Sequence, residues 1–134
     1  MTETGIVAAM LLLILAALVP TARAQILPCP QMSSNDVCDQ WQREQSDKKL
    51  ASIVELALAK IDSFAHPDTR QEAMERFNQA QRLWEQMREA DCQAESAFVW
   101  LRSARTRQGY TAACIRDLTD RRVVEIKRRY LLPD

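Results

Sequence analysis

Apolar residues along the chain recur at steps of three and four, and never alternate for long. Leu50, Val54, Ala57, Ile61 and Phe64 form one such series, with Ile53 and Leu58 widening the stripe. A second runs Met74, Phe77, Gln81, Trp84, Arg88 and Cys92, and a third Cys114, Leu118, Arg122 and Ile126, closing near Tyr130. This is the period of helices with one buried face. The pattern predicts an all-α fold: a long antiparallel hairpin over about 34–64 and 69–97, with a third helix from about 111 to 131.

The punctuation agrees. Ser33-Ser34-Asn35-Asp36 offers N-cap oxygens, His66-Pro67-Asp68-Thr69 breaks the hairpin, and Thr69 with Glu72 reads as a capping box. The whole chain has 2 glycines, Gly5 and Gly109, too few for the tight turns of a sheet. Gly109 reads as a helix stop and Thr111 as the cap of the third helix. Glu72–Arg76, Asp117–Arg121 and Glu125–Arg129 are charge pairs one turn apart on exposed faces. Phe98-Val99-Trp100-Leu101 extends the second helix or folds back as a plug. Core filling is the preferred reading there, and a partner patch the alternative.

The amino end has a different character. Ile6 to Val19 is an unbroken apolar run followed by Pro20 and Thr21-Ala22-Arg23-Ala24. That is the order of a secretory signal with cleavage after Ala24, although the first five residues carry Glu3 and no basic residue. A helix of 14 apolar residues spans roughly 21 Å, short of a bilayer core of about 30 Å. The expected organisation is a signal peptide over 1–24 and a single domain over 25–134, periplasmic or secreted, with no membrane attachment after cleavage. The exported part keeps 17 basic and 17 acidic side chains, unevenly placed. Residues 25–98 hold 8 basic and 13 acidic, and residues 99–134 hold 9 and 4, so an acidic end and a basic end are expected.

The 4 cysteines Cys29, Cys38, Cys92 and Cys114 all lie in the exported part, and read as two disulfides. Cys38 and Cys92 lie about equally far from the hairpin turn. By a narrow margin this prefers Cys38–Cys92 with Cys29–Cys114 over Cys29–Cys38 with Cys92–Cys114, and spacing does not settle the matter. Zinc fits poorly, with no C-x-x-C pair and His66 alone in a turn. No nucleophile–base pair, metal set or cofactor loop emerges, so the reading is a non-enzyme without cofactor. The stretches Arg102–Arg107 and Lys127–Arg129 lack the aromatic interleaving of nucleic-acid binders and read as solvated or protein-facing surface. Gln81, Arg88 and Arg122 are the informative polar residues, because an arginine on an apolar stripe needs a carboxylate. Hairpin arithmetic brings Asp47 to Arg88, with Arg122 as the competing partner.

Ala80-Gln81-Arg82-Leu83-Trp84-Glu85-Gln86-Met87-Arg88-Glu89-Ala90-Asp91-Cys92 resembles the signature of the LprI-type lysozyme-inhibitor family. Cys114-x-x-x-Leu118-Thr119-x-x-Arg122-x-x-x-Ile126 is similar to that family's closing segment, and Cys38 with Asp47-x-x-Leu50 to its opening one. The resemblance covers about 29–130. Ala51, Val54 and the Phe98–Arg107 connection depart from the family pattern. It implies a bacterial, periplasmic or secreted helical protein, some of whose relatives inhibit lysozyme. Two functions follow: inhibition of a lysozyme, or an envelope interaction module without that activity. For the inhibitor, the acidic hairpin would steer towards a basic lysozyme and Arg105 or Arg107 would meet the two carboxylates of its cleft; for the module, the contact would be the Phe98–Arg107 connection or the third helix. Trp100, Arg102, Arg105 and Arg107 are the expected contact residues, and the sequence leaves oligomeric state open.

Overall fold

The computed structural model describes residues 29, 34–102 and 105–132. The expected signal peptide lies outside them. Helix α1 spans Asn35–Phe64, α2 Arg70–Val99 and α3 Arg107–Ile126. A single 3-10 turn, Trp100–Arg102, follows α2, and a π turn, Lys127–Leu131, follows α3. The three helices run up, down and up. α3 is therefore parallel to α1, and it packs more extensively on α1 than α2 does. Among the described residues no helix is long and apolar enough to cross a membrane.

Local chemistry sets the ends. The Ser34 hydroxyl accepts from the Val37 N–H at 3.5 Å and opens α1. Ala65 turns extended just ahead of His66-Pro67, where the proline disfavours further helix. The capping box expected at Thr69 does not form: its hydroxyl donates back to the His66 carbonyl at 3.3 Å instead of capping α2. The third helix starts earlier than expected, at a cap made by Thr106, whose hydroxyl accepts from the Gly109 N–H at 3.1 Å. Gly109 is thus a first-turn residue and not a stop, and Thr111 bonds back to the Arg107 carbonyl at 2.9 Å. Its role is steric. A Cβ at Gly109 would overlap the Asp36 carboxylate, so glycine lets α3 come down on the start of α1.

The apolar core sits towards the α1–α2 turn. It comprises Leu50, Ile53, Ala57, Phe77, Val123 and Ile126, with Val54, Leu58, Ile61, Trp84, Tyr130 and Leu131 packed on it. Tyr130 meets the Phe77 ring edge-on at 5.0 Å. Phe64 was expected on this stripe but is 74% exposed, with the Lys60 ammonium 3.6 Å above its ring. The buried face of α3 also differs from the expected series. Ala112, Ile115, Thr119, Val123 and Ile126 are buried, while Cys114, Leu118 and Arg122 are half-buried. A helix wedged between two others is covered over a wide arc, and the 114–118–122 series is the flank facing α2.

Towards the cysteine end the buried side chains are mostly small or polar, Gly109, Ala112, Ala113, Ser96, Ser46 and Asp39, with Ile115 as the large apolar one among them. At Gly109 the helices come so close that even a Cβ would overlap Asp36. Core filling by Phe98–Leu101 is corrected. Phe98 is 85% and Leu101 77% exposed, with Val99 and Trp100 half-buried.

The disulfides are Cys29–Cys38 and Cys92–Cys114, with Cα separations of 5.3 and 5.7 Å. This overturns the preferred pairing of Cys38 with Cys92. Counting from the turn brought those two residues within about one helical turn of each other, but ignored which way each faces. Cys92 is fully buried on the side of α2 that meets α3, where Cys114 waits. The parallel packing of α3 also corrects the expectation of opposite charged ends. Basic α3 lies along acidic α1, and Asp39 receives both Arg105, at 2.6 Å, and Arg116, at 3.9 Å.

Candidate contact surface

Two groups of polar side chains stand out, one inside the bundle and one at its cysteine end. The inner group centres on Arg88, 6% exposed. Its Nη1 donates to Asp47 Oδ1 at 2.7 Å and to the Thr119 hydroxyl at 2.6 Å, and its Nη2 to Glu89 Oε1 at 3.0 Å. One guanidinium thereby ties α1, α2 and α3 at a single level. Arg43 extends the tie, reaching Glu89 at 3.0 Å and Asp47 at 3.6 Å. Trp84 carries Arg88 at 5.2 Å and Arg122 at 5.5 Å from its ring centre. Arg122 is engaged elsewhere than Asp47: its Nε donates to Gln81 Oε1 at 3.2 Å and its Nη1 to Glu125 Oε2 at 2.7 Å. Asp47, Gln81, Trp84, Arg88 and Arg122 thus stand in one network, with Leu118 half-buried beside it on α3.

Glu125 also receives Arg129 at 2.9 Å. The hydrogen bond from Arg122 holds the Glu125 carboxyl below the ordinary carboxylate pKa, against the opposing effect of burial, and the charges of Arg122, Arg129 and Arg128 add to the lowering. A depressed folded-state pKa contributes stability that is present above the unfolded value and lost as pH falls through the folded one. Glu125→Gln should therefore be less stable than the parent at neutral pH, with the gap closing as pH drops through the carboxylate range. Thermal melts of both proteins across that range check this, and a gap independent of pH excludes it.

The second group anchors the connection between α2 and α3. Buried Asp39 accepts from Arg105 Nε at 2.6 Å, and Asp36 Oδ1 accepts from the Thr106 N–H at 3.2 Å. Arg116 reaches across to Gln42 as well as Asp39, and Asp117 takes Arg116 as its partner. On the other side the Tyr110 hydroxyl donates to Glu95 at 2.9 Å. With Cys92–Cys114 at its base, the connection is closed covalently and pinned to α1 on its return limb. Phe98, in the last turn of α2, and Leu101, in the turn after it, are exposed here, and Val37, 54% exposed, lies at the same end of the bundle. Arg102 and Arg107 are exposed there too, and neither has an ion-pair partner among the described residues. Arg107 shares a shallow depression with Gln40, Arg43, Gln108 and Thr111.

Asp39 was not read from the sequence at all, and Asp36, Glu89 and Thr119 entered only as a cap or as motif positions, without these partners. For Asp39 the signal was available: 39, 46, 50, 53 and 57 continue the α1 stripe backwards at helical spacing, with a carboxylate in phase with the core. For Thr119 it was hidden in the shift of the α3 face.

Fold and side chains together define a small, disulfide-stapled three-helix bundle whose inner ion pairs join its helices. The chain belongs to the LprI lysozyme-inhibitor family, whose model, described as lysozyme inhibitor LprI, matches residues 29–126. No curated protein and no solved structure compared with the chain gave a match.

Proposed function

We propose that this protein is an exported, non-catalytic binder that inhibits a lysozyme. Membership of the family carries the reading, since the match runs from the first cysteine to the end of α3. The geometry supports it physically. A protein that blocks another must hold a surface ready before contact, because ordering a loose loop on binding consumes affinity. Here the described flanks of the α2–α3 connection are held: Cys92–Cys114 joins the two helices, and Asp39, Asp36 and the Thr106 cap hold Arg105 and Thr106 on the return limb. The disulfides fit an oxidising, extracytoplasmic compartment.

The test is turbidimetric. The oxidised protein, produced from the full chain in an exporting host, should slow cell-wall lysis by an animal-type lysozyme in a dose-dependent way. Reduction should abolish the effect. Failure of the folded, helical protein to slow several lysozymes at micromolar concentration would overturn the reading and leave an envelope interaction module in its place.

A further inference from the structure

We infer that the inhibitory element is the cysteine end of the bundle, where Phe98, Leu101, Arg102 and Arg107 enter the acidic, apolar-walled substrate cleft of a muramidase. This rests on the lysozyme reading and deepens it, by assigning the surface and the part of the partner that it occupies.

Several observations converge on this end. Phe98 and Leu101 are among the most exposed large apolar side chains of the described residues, one helical turn apart on the same projection. Contiguous exposed apolar area rimmed by polar groups is the kind of surface that marks a contact site. The neighbouring cations are uncommitted. Most other arginines near this end are engaged inside the molecule, Arg43 by Glu89 and Asp47, Arg105 and Arg116 by Asp39. Arg102 and Arg107 have no ion pair among the described residues, so their charge faces outward.

The chemistry that suits this pair of features is specific. A glycosidase of the lysozyme kind carries two carboxylates flanking its scissile bond, within a groove shaped for sugar rings. Guanidinium groups meet carboxylates with forked, directional hydrogen bonds, and an aromatic ring can take the place of a sugar ring against an apolar wall. Phenylalanine and leucine supply apolar area, while arginine supplies both charge and contact. Arg105 is held by the buried Asp39 and so anchors the return limb, and Trp100 is half-buried.

The experiment measures inhibition constants against an animal-type lysozyme at low and moderate salt. The variants are Phe98→Ala/Leu101→Ala, Arg102→Glu/Arg107→Glu, and Lys127→Glu/Arg128→Glu at the opposite end as a charge-matched control. All these side chains are exposed, and circular dichroism verifies that each variant folds. The first two variants should inhibit at least tenfold more weakly, and the control within about twofold of the parent. Added chito-oligosaccharide, which occupies the cleft, should compete with the parent protein, and salt should weaken it. Parent-like inhibition by both tip variants, or a failure of oligosaccharide to compete, overturns the assignment while leaving the inhibitor function intact. A parent protein that inhibits no lysozyme removes the function and this inference with it.

Discussion

Arg88→Ala should lower the stability of the bundle by about 3 kcal/mol, the low end of what breaking a buried ion pair costs. For a domain of this size that corresponds to a fall in melting temperature on the order of 10–20 °C. The reasoning is local. Arg88 is buried and serves Asp47, Thr119 and Glu89 on three helices. Truncation takes the guanidinium from Asp47 and Thr119, leaves Glu89 to Arg43, and uncovers one face of Trp84. The low end of the range is appropriate because the Asp47 side chain is 38% exposed and can recover water and Arg43. Arg88→Lys should lose an intermediate amount, since one compact ammonium cannot span acceptors on three helices as the planar fork does. Urea melts followed by helical circular dichroism measure both. A loss below 1 kcal/mol for the alanine variant would mean that the network contributes little to aligning the helices.

The second large effect concerns Cys92–Cys114. Replacing both residues by alanine should cost about 3 kcal/mol, from the loop-closure entropy of a bridge spanning 22 residues. It should also release the connection that presents Phe98 and Leu101, so inhibition should weaken more than the folded fraction falls. Replacing Cys29 and Cys38 should cost less, because that bridge ties only the segment preceding α1 to its first turn. Denaturation and lysis assays on the two double variants, compared at equal folded fraction, separate the effects. Equal losses of inhibition from both pairs would deny the Cys92–Cys114 bridge its special role. Non-reducing peptide mapping should recover Cys92 linked to Cys114.

Much of this fold was legible because helices announce themselves by period. The stripes of α1 and α2 marked the elements to within a few residues, and a charged residue in phase with an apolar stripe, Arg88, pointed to its carboxylate. What escaped was azimuth. Residue counting from a turn gives level but not facing, so it placed Cys92 near Cys38 although Cys92 looks towards α3. The same blindness selected the flank of α3 containing Cys114, Leu118 and Arg122 over the more deeply buried Ala112, Ile115 and Thr119. Phe98 and Leu101 misled for a different reason: large apolar residues are expected inside, and here both stand in solvent at the end of α2 and in the turn after it.

The consecutive pairing of the cysteines bears on how such a chain matures. When a polypeptide is threaded amino end first into an oxidising space, an oxidant that joins each new thiol to the one before it reaches the native pattern directly. First meets second and third meets fourth, so thiols joined in the order of synthesis need no exchange of partners to reach this pattern. The parallel seating of α3 on α1 imposes the opposite discipline on packing. Ser46 finds Asp120 across 74 residues of chain, so the flank of α1 stays uncovered until the tail has emerged. Covalent closure can proceed in step with delivery, whereas the core closes only once delivery is almost complete.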